Sequence, residues 1–317
     1  MNKSLTFIDL FAGVGGFNFA ITQGGGNCIF SSEIDENACK TYALNHQHTP
    51  KGDITLPEIQ NQIPPHNILC AGFPCQPFSV AGYRKGFLDT RGTLFFEIEK
   101  IVQKHLPEVV FLENVKNLKT HDKGNTFATI QHSLEQLGYA VYAEVLNTAT
   151  HANIPQNRER IFIVCFHKEK VPNWQDFQFP KPIKLTKTIH DILSHEKQDD
   201  CYYYTPENCY FYNDLLSGSL KEDTVYQWRR KYIRENKNQL CPTLTANMGM
   251  GGHNVPIIKD AYGFRKLTPD ECFRFQGYKN FRLPEIAKSH LYKQAGNSVT
   301  VPLIERIFQQ IKGVLAK

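Results

Sequence analysis

The strongest constraint on this chain is a short apolar run, Leu5–Leu10, that breaks at once into a glycine turn, FAGVGGFNFA, carrying Gly13, Gly15 and Gly16. A strand, a glycine turn and a helix-compatible segment in that order open an α/β unit. The rhythm repeats, with candidate strands at Cys28–Ile34, Asn67–Ala71, Val109–Glu113, Ala140–Leu146 and Ile161–Phe166. Between them Leu94, Phe95, Ile98, Ile101 and Val102 recur at helical spacing. Phe127, Ile130, Leu134 and Leu137 do the same until Gly138. Such alternation predicts a mostly parallel sheet covered on both faces. From Lys168 to about Tyr262 the rhythm fails among Pro, Tyr, Asn and Gly, as in an irregular small domain or functional loops. Val301 to Val314 then predicts a helix returning to the main sheet, so the second lobe is inserted before it.

Composition narrows the class. The chain has 317 residues, 41% hydrophobic and 21% charged, and no apolar run of the roughly eighteen residues a membrane span needs. MNKSLTFIDLFAG reads as a first strand rather than a signal peptide, which places the protein in the cytoplasm. The nine cysteines include no CxxC pair, so zinc-ligand spacing is absent, no metal is expected, and the odd count opposes a fully paired disulfide framework. A net charge of +5 permits an anionic partner without requiring one.

The glycine turn is not the dinucleotide pattern, because Asn18 holds the position of its third glycine. Glu33 ends the second strand, where α/β nucleotide folds place a carboxylate on ribose hydroxyls. Asp53, in GDI, could accept from an adenine amine. Alone, the turn reads equally as structural and either acid as a solvated loop carboxylate. In this order at strand ends they point to a nucleoside-type cofactor.

In NILCAGFPCQPFS a buried strand runs into a loop that presents Cys75 and Gln76 at a strand's carboxyl end, where open α/β sheets bind ligands. A thiolate there can act as a carbon nucleophile if a nearby charge or donor lowers its pKa. The plainer reading is a buried loop cysteine, as for Cys70. VVFLENVKNL delivers Glu113 to the end of the next strand, followed by Asn114, a possible helix N-cap. A carboxylate there must be hydrogen-bonded or hold its proton. In IPQNRERIFIVCF, Arg158 and Arg160 project to one face of an extended chain, with a surface pairing to Glu159 as the alternative. VYQWRRKYIRENKNQ interleaves Arg229, Arg230, Lys231, Arg234 and Lys237 with Tyr226, Trp228 and Tyr232, suiting phosphates and stacking, or else forming a solvated basic helix. Thr243, Thr245 and Asn247 beside the glycines at 249, 251 and 252 could reach base edges.

FAGVGG, GFPCQPFS, ENV, QNRER, RKLTPDECFRFQGY and GNSV together resemble, in order, the bacterial cytosine-C5 DNA methyltransferases of restriction–modification systems, from Phe7 to Val301. The resemblance implies an α/β, Rossmann-like S-adenosylmethionine-dependent methyltransferase sheet with a second, smaller, irregular target-recognition domain. It implies a catalytic domain at 1–187 and 292–317, a DNA-reading domain at 188–268 and a hinge at 269–291. Phe11, Gly13, Gly15, Glu33, Asp53, Pro74, Leu94 and Asn297 are then S-adenosylmethionine contacts. Cys75 is the nucleophile toward C6 of a flipped cytosine and Glu113 the group at N3. Arg158 and Arg160 anchor the base and its phosphates. Gln76, Ser79, Arg229, Arg230, Thr243 and Thr245 are DNA contacts. Double-stranded DNA is the implied partner of a monomer. A cognate endonuclease is expected to be encoded nearby without being a required subunit. An RNA-methylating relative, a catalytically silent DNA-binding relative and, more distantly, a nicotinamide oxidoreductase are the rival readings.

Overall fold

The computed structural model describes residues 5–74, 93–250 and 254–317. Two compact units emerge, one of Met1–Leu146, Glu159–Lys181 and Val301–Lys317, the other of Asn147–Arg158 and Pro182–Thr300. Among the described residues no helix is long and apolar enough to cross a membrane.

The first unit is built on a six-stranded sheet of order β2-β1-β3-β4-β7-β5. Its strands are β1 (Thr6–Leu10), β2 (Asn27–Ser32), β3 (Ile68–Gly72), β4 (Val109–Val115), β5 (Tyr139–Asn147) and β7 (Glu159–His167). β1 pairs in parallel with β2 and β3, and β3 with β4. β7 lies antiparallel to β4. The helices are α1 (Gly16–Gln23), α2 (Glu36–Asn45), α3 (Thr93–His105), α4 (Asn125–Gln136) and, at the end of the chain, Val301–Leu315. On one face Leu10, Leu69, Val110 and Leu112 pack with Ile98, Ile101 and Val102 of α3 and with Ile130 and Leu134 of α4. In the C-terminal helix Ile304, Ile307, Phe308 and Ile311 are buried at the spacing of a single helical stripe, and that helix packs on α1. Covering on both faces explains why Val109–Leu112 is apolar throughout instead of alternating.

The second unit is more ordered than its sequence rhythm predicts. β8 (Tyr226–Trp228), β9 (Ile233–Glu235), β11 (Ile257–Asp260) and β12 (Gly263–Lys266) form an antiparallel sheet of order β12-β11-β8-β9. Strands of 3 or 4 residues are too short for an alternating pattern to register. Fully buried Arg265 ties this sheet to the helix α5 (Pro269–Phe275), with Asp260 at 2.6 Å and Glu271 at 2.7 Å. Residues 147–158 fall in this unit because β6 (Gln156–Asn157) pairs with β10 (Cys241–Pro242), and Gln156 Nε2 donates to the Phe275 carbonyl at 2.7 Å. Residues 269–291 also lie inside it, as does α6 (Lys288–Asn297).

Candidate active site

The carboxyl ends of β1 and β2 meet at the glycine turn. Phe11, Gly13 and Gly15 have φ of 54, 56 and 84°, a left-handed path that glycine takes at little cost. The Gly13 amide donates to Glu33 Oε2 at 2.8 Å, while Glu33 Oε1 accepts from the amides of Ile34 at 2.9 Å and Asp35 at 2.8 Å. The turn and the strand-end carboxylate are therefore one structure. A Cβ at Gly13 would meet none of the described residues within 4 Å, so they leave the turn open there. Behind Gly15 the space is filled by the rings of His46 and Tyr42.

Beneath the turn, Asp9 is fully buried and accepts from the Asn18 amide at 3.3 Å. Burial, with Glu33 adding repulsion, raises its carboxyl well above the usual range. Asn18, where a dinucleotide loop has glycine, donates Nδ2 to the Tyr42 hydroxyl at 2.7 Å. Neither support was legible in the sequence. Asp53 accepts the Thr55 amide at 2.9 Å, which closes a local turn. A groove lined by Glu33, Ile34, Cys39, Pro50 and Gly52 runs along the end of β2, and Ile34 stands 71% exposed on it. The strand expected over Cys28–Ile34 stops at Ser32, which leaves Ile34 outside it. Phe11 packs against the core, and Leu94, near the start of α3, is half-buried.

At the ends of β3 and β4, Gly72 is in register with Glu113. Arg160 Nε lies 3.2 Å from Glu113 Oε1, both side chains largely removed from water. Glu159 pairs with Lys116 at 2.6 Å, so the surface pairing considered for the RER run goes to a lysine instead. Asn114 is buried and donates Nδ2 to the Phe73 carbonyl at 2.9 Å, pinning the exit of β3 two residues before Cys75. The following 3-10 turn starts from Val115, so Asn114 is not its cap. Cys70 is buried and its thiol pushed well above the usual range by burial, as an inert core residue should be. Pro74 is exposed, and Cys75, Gln76 and Ser79 lie outside the described residues.

In the second unit Arg158 turns its guanidinium to backbone carbonyls. It is 2% exposed, with Nη1 donating to the Leu244 carbonyl at 2.8 Å and Nη2 to the Ser298 carbonyl at 2.5 Å. Both nitrogens also reach the Gly296 carbonyl at 3.3 Å. A guanidinium committed to these carbonyls holds the chain around Thr243–Thr245 against the chain around Asn297. The alternation that put Arg158 and Arg160 on one face fails because β7 begins only at Glu159. Thr243 Oγ1 donates to the Asn157 carbonyl at 2.7 Å, Thr245 is exposed, and Gly296 touches the Thr245 backbone so closely that no Cβ would fit. Asn297 is exposed at the end of α6. Arg229 and Arg230 are exposed at the tip of the β8–β9 hairpin. The interleaved aromatics divide: Trp228 stacks on Phe211 at 4.4 Å, Tyr226 is core, and Tyr232 is 56% exposed.

A glycine turn bonded to the carboxylate of the neighbouring strand, on parallel strands flanked by an antiparallel one, is a Rossmann-like methyltransferase architecture. The S. pombe Dnmt2 methyltransferase shares this fold, with a TM-score of 0.74 and 20% identity over 99% of this chain and 100% of that one. The chain belongs to the C-5 cytosine-specific DNA methylase family, whose sequence profile matches residues 5–313. It is 50% identical over 315 residues to the type II methyltransferase M.Bsp6I of Bacillus sp. (strain RFL6), covering 97% of this chain and 98% of that protein. It is 38% identical over 316 residues to the type II methyltransferase M.HhaI of Haemophilus parahaemolyticus, covering 97% and 94%. The protein is thus an enzyme, a cytosine-C5 DNA methyltransferase of the restriction–modification type, and the nicotinamide reading falls.

Proposed function

We propose that this enzyme transfers a methyl group from S-adenosylmethionine to C5 of a flipped-out cytosine within a specific short duplex sequence, by covalent addition of Cys75 at C6. The observation that carries the reading is the Glu113–Arg160 pair at the sheet's carboxyl edge, beside the strand that leads through Pro74 to Cys75. The residues at the glycine turn fit the cofactor. Among the described residues nothing crowds Gly13, and Glu33, with three of its roughly four lone pairs accepting amides, has one left for a ribose hydroxyl. Phe11, Gly15, Asp53, Pro74, Leu94 and Asn297 complete the proposed set. When bound, S-adenosylmethionine supplies an electrophilic methyl group.

The chain's own residues do the rest. The Cys75 thiolate adds to C6, which makes C5 an enamine carbon nucleophile. Glu113 hydrogen-bonds or protonates N3, stabilising the electrons pushed into the ring, and Arg160 orients Glu113 and anchors the base. Loss of the C5 proton to a base then expels the cysteine and restores the ring. Flipping costs a few kcal/mol of unstacking. Arg158 acts through the segments it clamps rather than by touching substrate. Gln76, Ser79, Arg229, Arg230, Thr243 and Thr245 contact DNA. Residues 188–268 read the target, 269–291 act as the hinge, and 1–187 with 292–317 carry the chemistry. The enzyme works as a cytoplasmic monomer that protects host DNA from an endonuclease encoded nearby.

Bisulfite sequencing of plasmid DNA from cells expressing the chain tests this. Unconverted cytosines are expected at one short sequence, and none in cells expressing Cys75→Ser. Full conversion in both overturns the proposal.

A further inference from the structure

The glycine turn rests on two rings that the reaction does not use. His46 follows α2 directly, and its Nε2 lies 3.2 Å from the Val14 carbonyl, inside the turn. To bond that carbonyl, Nε2 must carry the ring proton. Burial depresses the imidazole pKa to about 4, so the ring is neutral near pH 7 and the bond is between neutral groups. The His46 ring lies 4.3 Å from the ring of Tyr42, centroid to centroid, and a Cβ on Gly15 would strike both. Tyr42 is itself fixed. Its hydroxyl accepts from Asn18 at 2.7 Å and meets His48 Nε2 at 3.2 Å, and that nitrogen also meets Ser31 Oγ at 2.9 Å. The floor of the turn is thereby tied to α1 through Asn18 and to β2 through Ser31.

We propose that His46 is a positioning residue for cofactor binding: its imidazole holds the Val14 carbonyl and fills the space behind Gly15. The turn then keeps the left-handed path that aims the Gly13 amide at Glu33. Without the ring, Val14 loses its donor and the turn gains alternative conformations, so binding must first re-select the competent one. This rests on the reading that the turn holds S-adenosylmethionine.

The test is titration calorimetry of S-adenosylmethionine and S-adenosylhomocysteine in the absence of DNA, with steady-state methyl transfer alongside. His46→Ala should raise Kd and KM for S-adenosylmethionine about tenfold, the worth of one neutral hydrogen bond. Its kcat at saturating cofactor and its affinity for target DNA should stay within about twofold of wild type, since those contacts do not change. His46→Gln, which restores a donor, should recover most of the loss. His46→Phe keeps a ring without the donor, and replaces the alanine variant if that one does not fold. Cofactor affinity unchanged in His46→Ala, or in His46→Phe, overturns the proposal, as does an equal fall in cofactor and DNA affinity. Wild-type protein that binds neither ligand overturns the cofactor reading itself, a separate outcome.

Discussion

Arg160 reaches Glu113 across the seam where the parallel strands meet their antiparallel neighbour, Nε to Oε1 at 3.2 Å. The two are not directly opposite, since Arg160 pairs with Val115 and Glu113 with Phe162. The arginine therefore leans along the ladder, inward from the strand end, to reach Glu113. A pair so far out of water is a unit, because removing either partner strands the other. Glu113→Gln should lower kcat by about 100-fold or more while S-adenosylmethionine affinity stays within about twofold. Combined with Arg160→Lys, it should cost clearly less than the sum of the single losses. Strict additivity in a methyl-transfer assay would contradict the coupling.

Arg158 and Arg160 should fail differently. Arg158→Met removes charged donors from the carbonyls of Leu244, Gly296 and Ser298, and should cost about 3 kcal/mol of unfolding free energy or more. Arg160→Met should cost less stability and more turnover. Urea unfolding measured beside kcat separates them, and an Arg158→Met protein as stable as wild type would show that the clamp does not matter.

The two glycines of the cofactor turn should also part company. Both have positive φ, so alanine at either position carries a backbone cost of about 1 kcal/mol. At Gly13 the described residues add no further cost, because none of them lies within 4 Å of a new Cβ. At Gly15 the Cβ must displace the His46 and Tyr42 rings. Gly15→Ala should therefore lower the unfolding midpoint well beyond Gly13→Ala. Equal melting temperatures would contradict this packing.

Acid should weaken the fold through its buried imidazoles. His46 and His66 have their pKa depressed from 6.5 to about 4, chiefly by burial. Below pH 6.5 the unfolded chain takes up protons that the folded chain refuses until about pH 4. Their contribution is thus complete above pH 6.5 and lost as pH falls toward 4, by about 1.4 kcal/mol per pKa unit at most. The comparison is wild type against His66→Gln, which cancels the carboxylates common to both. The variant should lose less stability between about pH 7 and about pH 5, and parallel losses would contradict the assignment.

What the sequence made legible follows from length and burial. β1, β3, β4 and β7 are buried on both faces and read as apolar runs. α3, α4 and the C-terminal helix carry stripes long enough to show a period. The hairpin around Arg229 was invisible because three-residue strands carry no pattern. Glu33 and Gly13 were legible as a pair by position, but the bond between them depends on register. The burial of Arg158 was not legible, because the residue lies just ahead of β7 and its direction does not follow that strand's alternation. Asp9 and His46 are not legible, and Asn18 only as a missing glycine, because their meaning lies in contacts between elements distant in sequence.

The central claim is that Cys75 adds covalently to a cytosine in duplex DNA. Its most direct test is denaturing electrophoresis of the enzyme with S-adenosylmethionine and a duplex carrying 5-fluorocytosine at the target. Fluorine at C5 blocks the release step, so wild-type protein should form a stable protein–DNA adduct and Cys75→Ser none, with an equivalent RNA giving none. An adduct formed equally by Cys75→Ser, or formed only with RNA, would contradict the account.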